Sequence, residues 1–171
     1  MTRDQKIVLA GAASGIAAMI LAMWLLSTRL LPPPSGLETL ADRLGYALRW
    51  TAFAALPVLA MLAAVGNARF LTEAIDPTRG AEDRGTIVNG RVADNTTQQF
   101  LLFMAGSLGL AASLSPGRMQ AIAAAAIVFV VARLAFWIGY RIDPLYRAFG
   151  FAATAYLNLG LLLAALWLGF A

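Results

Sequence analysis

The chain contains no cysteine and no histidine among its 171 residues. The lack of cysteine excludes disulfides, thiolate metal sites and protein-thiol nucleophiles. The lack of histidine removes the usual general base, the haem ligand and serine–histidine catalysis. Ser14 and Ser107, which both stand beside glycines, are therefore interpreted as small packing residues rather than as proteolytic nucleophiles.

Charged residues are also scarce, at 13% of the chain, whereas 60% of the residues are hydrophobic. A soluble domain of this length exposes too much surface to carry so few charges, so the composition predicts an integral membrane protein in contact with the lipid bilayer. The net charge of +4 is spread through the connections instead of being massed on one element. Membrane topology alone accounts for that pattern, and we expect no nucleic-acid partner.

Five apolar stretches predict five membrane-spanning helices, because each is long enough to cross a hydrocarbon core of about 30 Å. Three successive prolines end the first, Pro57 is expected to kink the second, and Asp143-Pro144 precedes the last. The longest polar connection covers residues 67–94, with turn signals at 76–80 and at Asn89-Gly90. The predicted spans cover residues 7–27, 46–66, 91–115, 118–140 and 145–170.

The basic residues predict the orientation of these spans. With five crossings, eight basic residues lie on the side of the N terminus: Arg3, Lys6, Arg69, Arg79, Arg84, Arg91, Arg141 and Arg147. Four lie on the other side: Arg29, Arg43, Arg49 and Arg118. The excess favours a cytoplasmic N terminus.

Polar residues gather at the ends of the third and fourth predicted spans. Arg91, Asn95 and Gln98 stand at positions i, i+4 and i+7, so a helix projects them along one stripe. Arg133 and Tyr140 are seven residues apart and also share one face. Because a tight turn joins the two spans, they must pack antiparallel. The two stripes can therefore meet at the same membrane depth, on the predicted cytosolic side.

Arg147, at the start of the last span, adds a further cation to this layer. Guanidinium groups bind carboxylates bidentately, and a nearby cation lowers the pKa of a thiol, so the layer suits an anionic or thiol-bearing ligand. Spacing alone also fits a second interpretation. In that interpretation the arginines snorkel to lipid phosphates, the tyrosine lies in the interfacial belt and the amides cap or link helices.

Two segments resemble the signatures of the MAPEG family, the membrane-associated proteins of eicosanoid and glutathione metabolism. Residues 91–100, with sequence RVADNTTQQF, resemble that family's R-x-x-x-N-x-x-E motif. Residues 132–150 resemble its R-x6-Y stretch, followed by a proline, an arginine and a glycine-containing helix. The resemblance predicts an all-α membrane bundle, with an N-terminal helix and Pro-rich loop at residues 1–45 and a MAPEG-like four-helix domain at residues 46–171.

Characterised members of that family form trimers that bind glutathione between subunits near the cytosolic surface. The resemblance therefore implies a homotrimer and a site for glutathione, as co-substrate, made of Arg91, Asn95, Gln98, Arg133 and Tyr140. It also implies that Arg147 and Tyr140 are the catalytic residues, which stabilise the glutathione thiolate.

The sequence departs from the family pattern in three places. Gln98 stands where the motif has glutamate, which removes a negative charge that could pair with the ammonium of glutathione. Asp94 occupies a position where some catalytic members carry a basic residue. The first span is additional to the four-helix unit, and its Gly11 and Gly15 form a GxxxG spacing that allows close packing on a neighbouring helix.

The resemblance implies a glutathione-dependent transferase or peroxidase of the bacterial inner membrane, acting on lipophilic small-molecule electrophiles. The alternative is a non-catalytic relative that binds a lipid or a partner membrane protein. A small transport subunit is disfavoured, because the second, third and fifth spans contain few charges.

Two further groups of polar residues are interpreted structurally. Asn158, deep in the last span, is expected to form an interhelical hydrogen bond. An acidic group in the polar connection alternates with arginines and fits no calcium loop, so a solvated loop rather than a metal site is expected. Its members are Glu73, Asp76, Glu82 and Asp83.

Overall fold

The computed structural model describes residues 1–76, 80 and 82–171, and every regular element within these residues is helical. The predicted turn at 76–80 falls mostly outside the described residues, as does Arg79. Across the described ranges there are six α-helices: α1 (Arg3–Leu25), α2 (Leu40–Ala54), α3 (Leu56–Phe70), α4 (Arg84–Ser113), α5 (Gln120–Ile142) and α6 (Arg147–Phe170). A π-helical turn, Leu26–Leu30, extends α1, and short 3-10 turns cover Glu73–Ile75 and Pro116–Arg118.

Local chemistry explains where the helices begin and end. The side chain of Thr2 accepts a hydrogen bond from the amide of Gln5, whose own side chain accepts from the Thr2 amide, so α1 starts with a capping box. The α2–α3 segment is interrupted at Ala55, two residues before Pro57, which cannot donate to the carbonyl one turn earlier. An interruption of the helix thus lies where the sequence predicted a kink at Pro57.

The third long helix begins seven residues earlier than the sequence predicted. α4 starts at Arg84, where the Asp83 carboxylate accepts a hydrogen bond from the Thr86 amide and supplies the cap. The turn predicted at Asn89-Gly90 is wrong, because both residues lie inside this helix. Asn89 is buried, and its side-chain oxygen accepts a hydrogen bond from Nε1 of Trp137 at 2.9 Å. Tertiary packing has thus overridden the local turn signal.

Four helical segments of the described residues are long and apolar enough to cross a membrane. They are Arg3–Leu30, Leu40–Phe70, Pro116–Ile142 and Arg147–Phe170. These correspond to four of the five spans predicted from the sequence. The remaining helix, α4, is long enough at 30 residues, but it carries polar residues along its first half.

Small residues allow the helices to approach closely. α1 packs on α6, where a side chain at Gly15 would overlap the backbone oxygen of Phe149 and one at Gly11 would touch Ala148. The glycine pair therefore packs α1 against a neighbouring helix, as its spacing predicted. α5 and α6 meet at Gly150, where a side chain would overlap backbone atoms of α5. This contact fixes α6 beside the polar layer.

Aromatic and apolar side chains fill the space between α4, α5 and α6. Phe103 and Phe129 are fully buried, with ring centroids 4.8 Å apart. A second apolar cluster surrounds Phe136 and Tyr140, whose rings meet edge to face at 5.9 Å. α4 and α5 therefore pack side by side, with the first half of α4 near the end of α5.

Candidate functional site

The guanidinium of Arg133 lies at the centre of the polar layer and has no exposed surface. Its Nε donates to Oγ1 of Thr96 at 3.2 Å, and its Nη1 donates to Oγ1 of Thr154 at 3.0 Å. Its Nη2 donates to the same Thr96 oxygen at 2.8 Å and to Oδ1 of Asn95 at 3.0 Å. One cation on α5 thus joins α4 and α6.

In the part of the chain that the structure describes, no carboxylate forms an ion pair with this buried cation. The ion pair found there joins Arg69 and Glu82. Neutral side-chain oxygens accept the hydrogen bonds of Arg133 instead. Its Cζ also lies 4.0 Å from the centroid of the Phe136 ring, which is a cation–π contact. An arginine carries five N–H donors, and four hydrogen bonds reach protein oxygens. One N–H of Nη1 is therefore left for another acceptor.

The two predicted stripes meet, as the antiparallel packing of the spans implied. Asn95 from the first stripe accepts the hydrogen bond from Arg133 in the second. Asn95 is half-buried, whereas Arg91 and Gln98 are exposed on the same helix. Asp94 is exposed as well, between these two residues. The outer face of α4 therefore presents a cation, a carboxylate and an amide beside the buried guanidinium.

Tyr140 and Arg147 form the second half of the layer. The Tyr140 ring is 7% exposed and packs in the apolar cluster with Phe136. The Cζ of Arg147 lies 4.9 Å from the centroid of this ring, and the Arg147 side chain is exposed. Within the described residues neither the Tyr140 hydroxyl nor the Arg147 guanidinium forms a protein hydrogen bond. Both groups are therefore free to donate to an anion.

Sequence reasoning overlooked the two threonines that hold Arg133. Thr96 follows Asn95 directly, and Thr154 is a polar residue inside an apolar helix, so both positions carried a signal. Both are completely buried, and the hydroxyl of Thr154 donates to the backbone oxygen of Gly150 at 2.8 Å. Each hydroxyl can donate within its own helix while it accepts from the guanidinium. Threonine is thus suited to meet an interior cation.

A second polar contact lies deeper in the bundle. The Nδ2 of Asn158 donates to the backbone oxygen of Gln99 at 2.9 Å and to its Oε1 at 2.8 Å. Asn158 is 1% exposed, so the contact is shielded from solvent and lipid. The interhelical hydrogen bond predicted for Asn158 is confirmed. The sequence analysis had not identified Gln99 as its partner.

The sequence profile of the MAPEG family matches residues 47–167. The chain belongs to the MAPEG family. The matched region runs from α2 to the last turns of α6, and it leaves out α1.

Among curated proteins, the chain is similar to transmembrane protein 79 of Mus musculus, with 26% identity over 118 residues. This alignment covers 69% of the chain and 30% of the mouse protein, so the chain spans less than a third of that relative's length. No solved structure matches the chain.

Proposed function

We propose that this MAPEG protein is a glutathione-dependent transferase or peroxidase that acts on lipophilic small-molecule electrophiles. The observation that carries the proposal is the bond between Arg133 and Asn95, which joins the two motif segments beside Tyr140 and Arg147. This arrangement brings cationic and neutral donors to the same half of the bundle. Glutathione is an anion with two carboxylates, so its charge complements Arg91 and Arg147.

Each residue of the layer has a role in the proposal. Arg91 receives a carboxylate, because it is exposed and forms no ion pair within the described residues. Gln98 accepts or donates a hydrogen bond to the peptide part of glutathione. Asn95 orients the tripeptide, and the buried Arg133 holds Asn95 in place through its Nη2. Asp94 supplies the negative charge that Gln98 lacks.

The proposed chemistry needs no protein nucleophile. The thiol of glutathione loses its proton to water, and the Arg147 guanidinium and the Tyr140 hydroxyl stabilise the thiolate. In transfer, the sulfur forms a bond to an electrophilic carbon, and the leaving group departs with the bonding electron pair. In peroxidase chemistry, the thiolate attacks the terminal oxygen of a hydroperoxide, the O–O bond breaks, and the alkoxide takes a proton from water to leave as an alcohol. A second glutathione then reacts with the sulfenic acid to give a disulfide and water.

The assembly belongs to the same proposal. α4 crosses the membrane as a fifth span, with Arg91, Asp94 and Gln98 facing other copies in a homotrimer rather than lipid. The proposal takes this assembly from the characterised members of the family, which form trimers. The protein would lie in the bacterial inner membrane with a cytoplasmic N terminus, so that glutathione arrives from the cytosol.

A second candidate is a non-catalytic member that binds a lipid or a partner protein. The observation that favours it is the internal satisfaction of Arg133, whose four hydrogen bonds to protein suit a structural role. The glutamine at position 98 also favours the non-catalytic candidate, because it replaces the glutamate of the family motif.

Calorimetric titration of glutathione into the detergent-purified protein tests the proposal. Saturable binding, weakened by Arg91→Gln and by Tyr140→Phe, is the expected result. Arg118→Gln is the control, since this exposed arginine lies at the opposite end of α5. Absence of binding at millimolar glutathione would reject the proposal and favour the non-catalytic candidate.

A further inference from the structure

A cleft opens between the first turn of α4 and the last turn of α5. It is lined by Arg84, Gly85, Val88 and Arg141 and encloses about 200 Å³. Both arginine side chains are exposed, and neither forms an ion pair with a described residue. The first backbone amides of α4 add partial positive charge at this end, and the last carbonyls of α5 add partial negative charge. Two exposed arginines therefore line the cleft.

The acids closest along the chain do not neutralise these arginines by contact. The Oδ1 of Asp83 accepts a hydrogen bond from the Thr86 amide at 2.7 Å, and hydrogen bonding by the Thr86 side chain and then by this amide holds the pKa of the Asp83 carboxyl below its ordinary value. The Oδ1 of Asp143 accepts from the Leu145 amide at 2.8 Å. Both carboxylates are thus engaged by backbone amides at helix ends. The arginines remain available to an external anion.

An apolar groove continues from the cleft along the outer face of α5. It is lined by Trp137, Ile138, Arg141 and Ile142, so Arg141 belongs to both surfaces. Ile138 and Ile142 are 59% and 67% exposed. The indole of Trp137 is held by its hydrogen bond to Asn89 on α4, which gives the groove a fixed aromatic wall. A cleft lined by two arginines thus leads directly into an apolar surface.

We propose that this surface binds an anionic glycerophospholipid, independently of glutathione. The phosphate lies between Arg84 and Arg141, and an acyl chain follows Ile138 and Ile142. A lipid fits both parts, whereas a soluble phosphate would use the cleft alone. The cleft adjoins the proposed glutathione layer, since Arg141 follows Tyr140, but Arg84 lies seven residues, about 10 Å, from Arg91 along α4.

Native mass spectrometry of the detergent-purified protein tests this proposal. The probes are phosphatidylglycerol and phosphatidylcholine with identical acyl chains. We expect one phosphatidylglycerol per chain, bound about tenfold more tightly than phosphatidylcholine, since two arginines attract the anionic headgroup. The double variant Arg84→Gln/Arg141→Gln should remove this preference. The matched double variant Arg3→Gln/Lys6→Gln removes the same charge from exposed positions of α1 and should retain it.

Three outcomes would overturn the proposal. Equal binding of the two lipids would show that the cleft does not select an anion. If both double variants lost the preference for phosphatidylglycerol equally, that preference would come from the overall charge of the protein and not from the cleft. Displacement of phosphatidylglycerol by glycerophosphoglycerol, at concentrations matching the lipid, would show that the acyl chains contribute nothing.

Discussion

Arg133 on α5 donates a 3.0 Å hydrogen bond to the side chain of Asn95 on α4, and the same guanidinium reaches Thr154 on α6. Three helices therefore depend on one buried cation whose partners are all neutral. Burying an arginine is costly unless its donors are satisfied, so the network must form as a unit. The arrangement gives this arginine a structural role.

Replacing Arg133 with alanine should destabilise the bundle strongly. The change leaves a cavity and removes the partners of Asn95, Thr96 and Thr154, and we expect a loss of about 2–5 kcal/mol. Arg91→Ala is the matched control, because this arginine is exposed on the same layer, and it should cost less than about 0.5 kcal/mol. Denaturant titration in detergent measures both. Equal losses would refute the structural role.

The approach of α6 to α5 depends on the absence of a side chain at Gly150. A methyl group there would overlap the backbone oxygen of Ala132 and the backbone nitrogen of Phe136, which cannot rotate away. We therefore expect Gly150→Ala to lower the thermal midpoint by several degrees and to weaken the Arg133–Thr154 contact. The same change at Gly160, on the same helix but with open space around it, should be neutral or stabilising.

Fluorescence or calorimetric melting in one detergent compares the two glycine variants. Similar midpoints for Gly150→Ala and Gly160→Ala would contradict the close approach of α5 and α6.

The docking of α1 depends in the same way on Gly15. A leucine at this position would overlap the backbone of Phe149, so Gly15→Leu should separate α1 from α6 while leaving α4–α6 packed. The exposed neighbour Ser14 is the control, and Ser14→Leu should keep α1 in place. Limited proteolysis of the connection after α1 measures the difference. Equal cleavage of the two variants would contradict the predicted contact.

Helix positions could be predicted from the sequence because apolar length and proline placement are local properties. The start of α4 could not be predicted, because Asn89-Gly90 is a strong local turn signal. In the structure, the Asp83 cap and the contact with Trp137 outweigh that signal. The meeting of Asn95 with Arg133 followed from spacing and antiparallel packing. The threonine partners of Arg133 could not be predicted in this way. Many hydroxyl groups can accept hydrogen bonds from a guanidinium, and only the packing of the bundle selects among them.

The substitution of glutamine for glutamate at position 98 defines the sharpest test of the glutathione proposal. Asp94 lies one helical turn before Gln98, and both side chains are exposed on the outer face of α4. A carboxylate at either position can therefore face the same bound ligand. In the proposal, Asp94 pairs with the ammonium group of glutathione, and its charge replaces the one that the family motif places at position 98.

Asp94→Asn should therefore raise the dissociation constant for glutathione about tenfold, because a charged hydrogen bond is lost. Adding Gln98→Glu to that variant should restore the affinity, because it returns the charge one turn away. A glutathione analogue without the α-amino group should bind all three proteins equally, and Asp4→Asn on α1 should have no effect. Calorimetric titration measures each constant. If glutathione binds with the same dissociation constant in all three proteins, Asp94 has no part in recognition. If glutathione does not bind the unmodified protein, the proposed site itself is rejected.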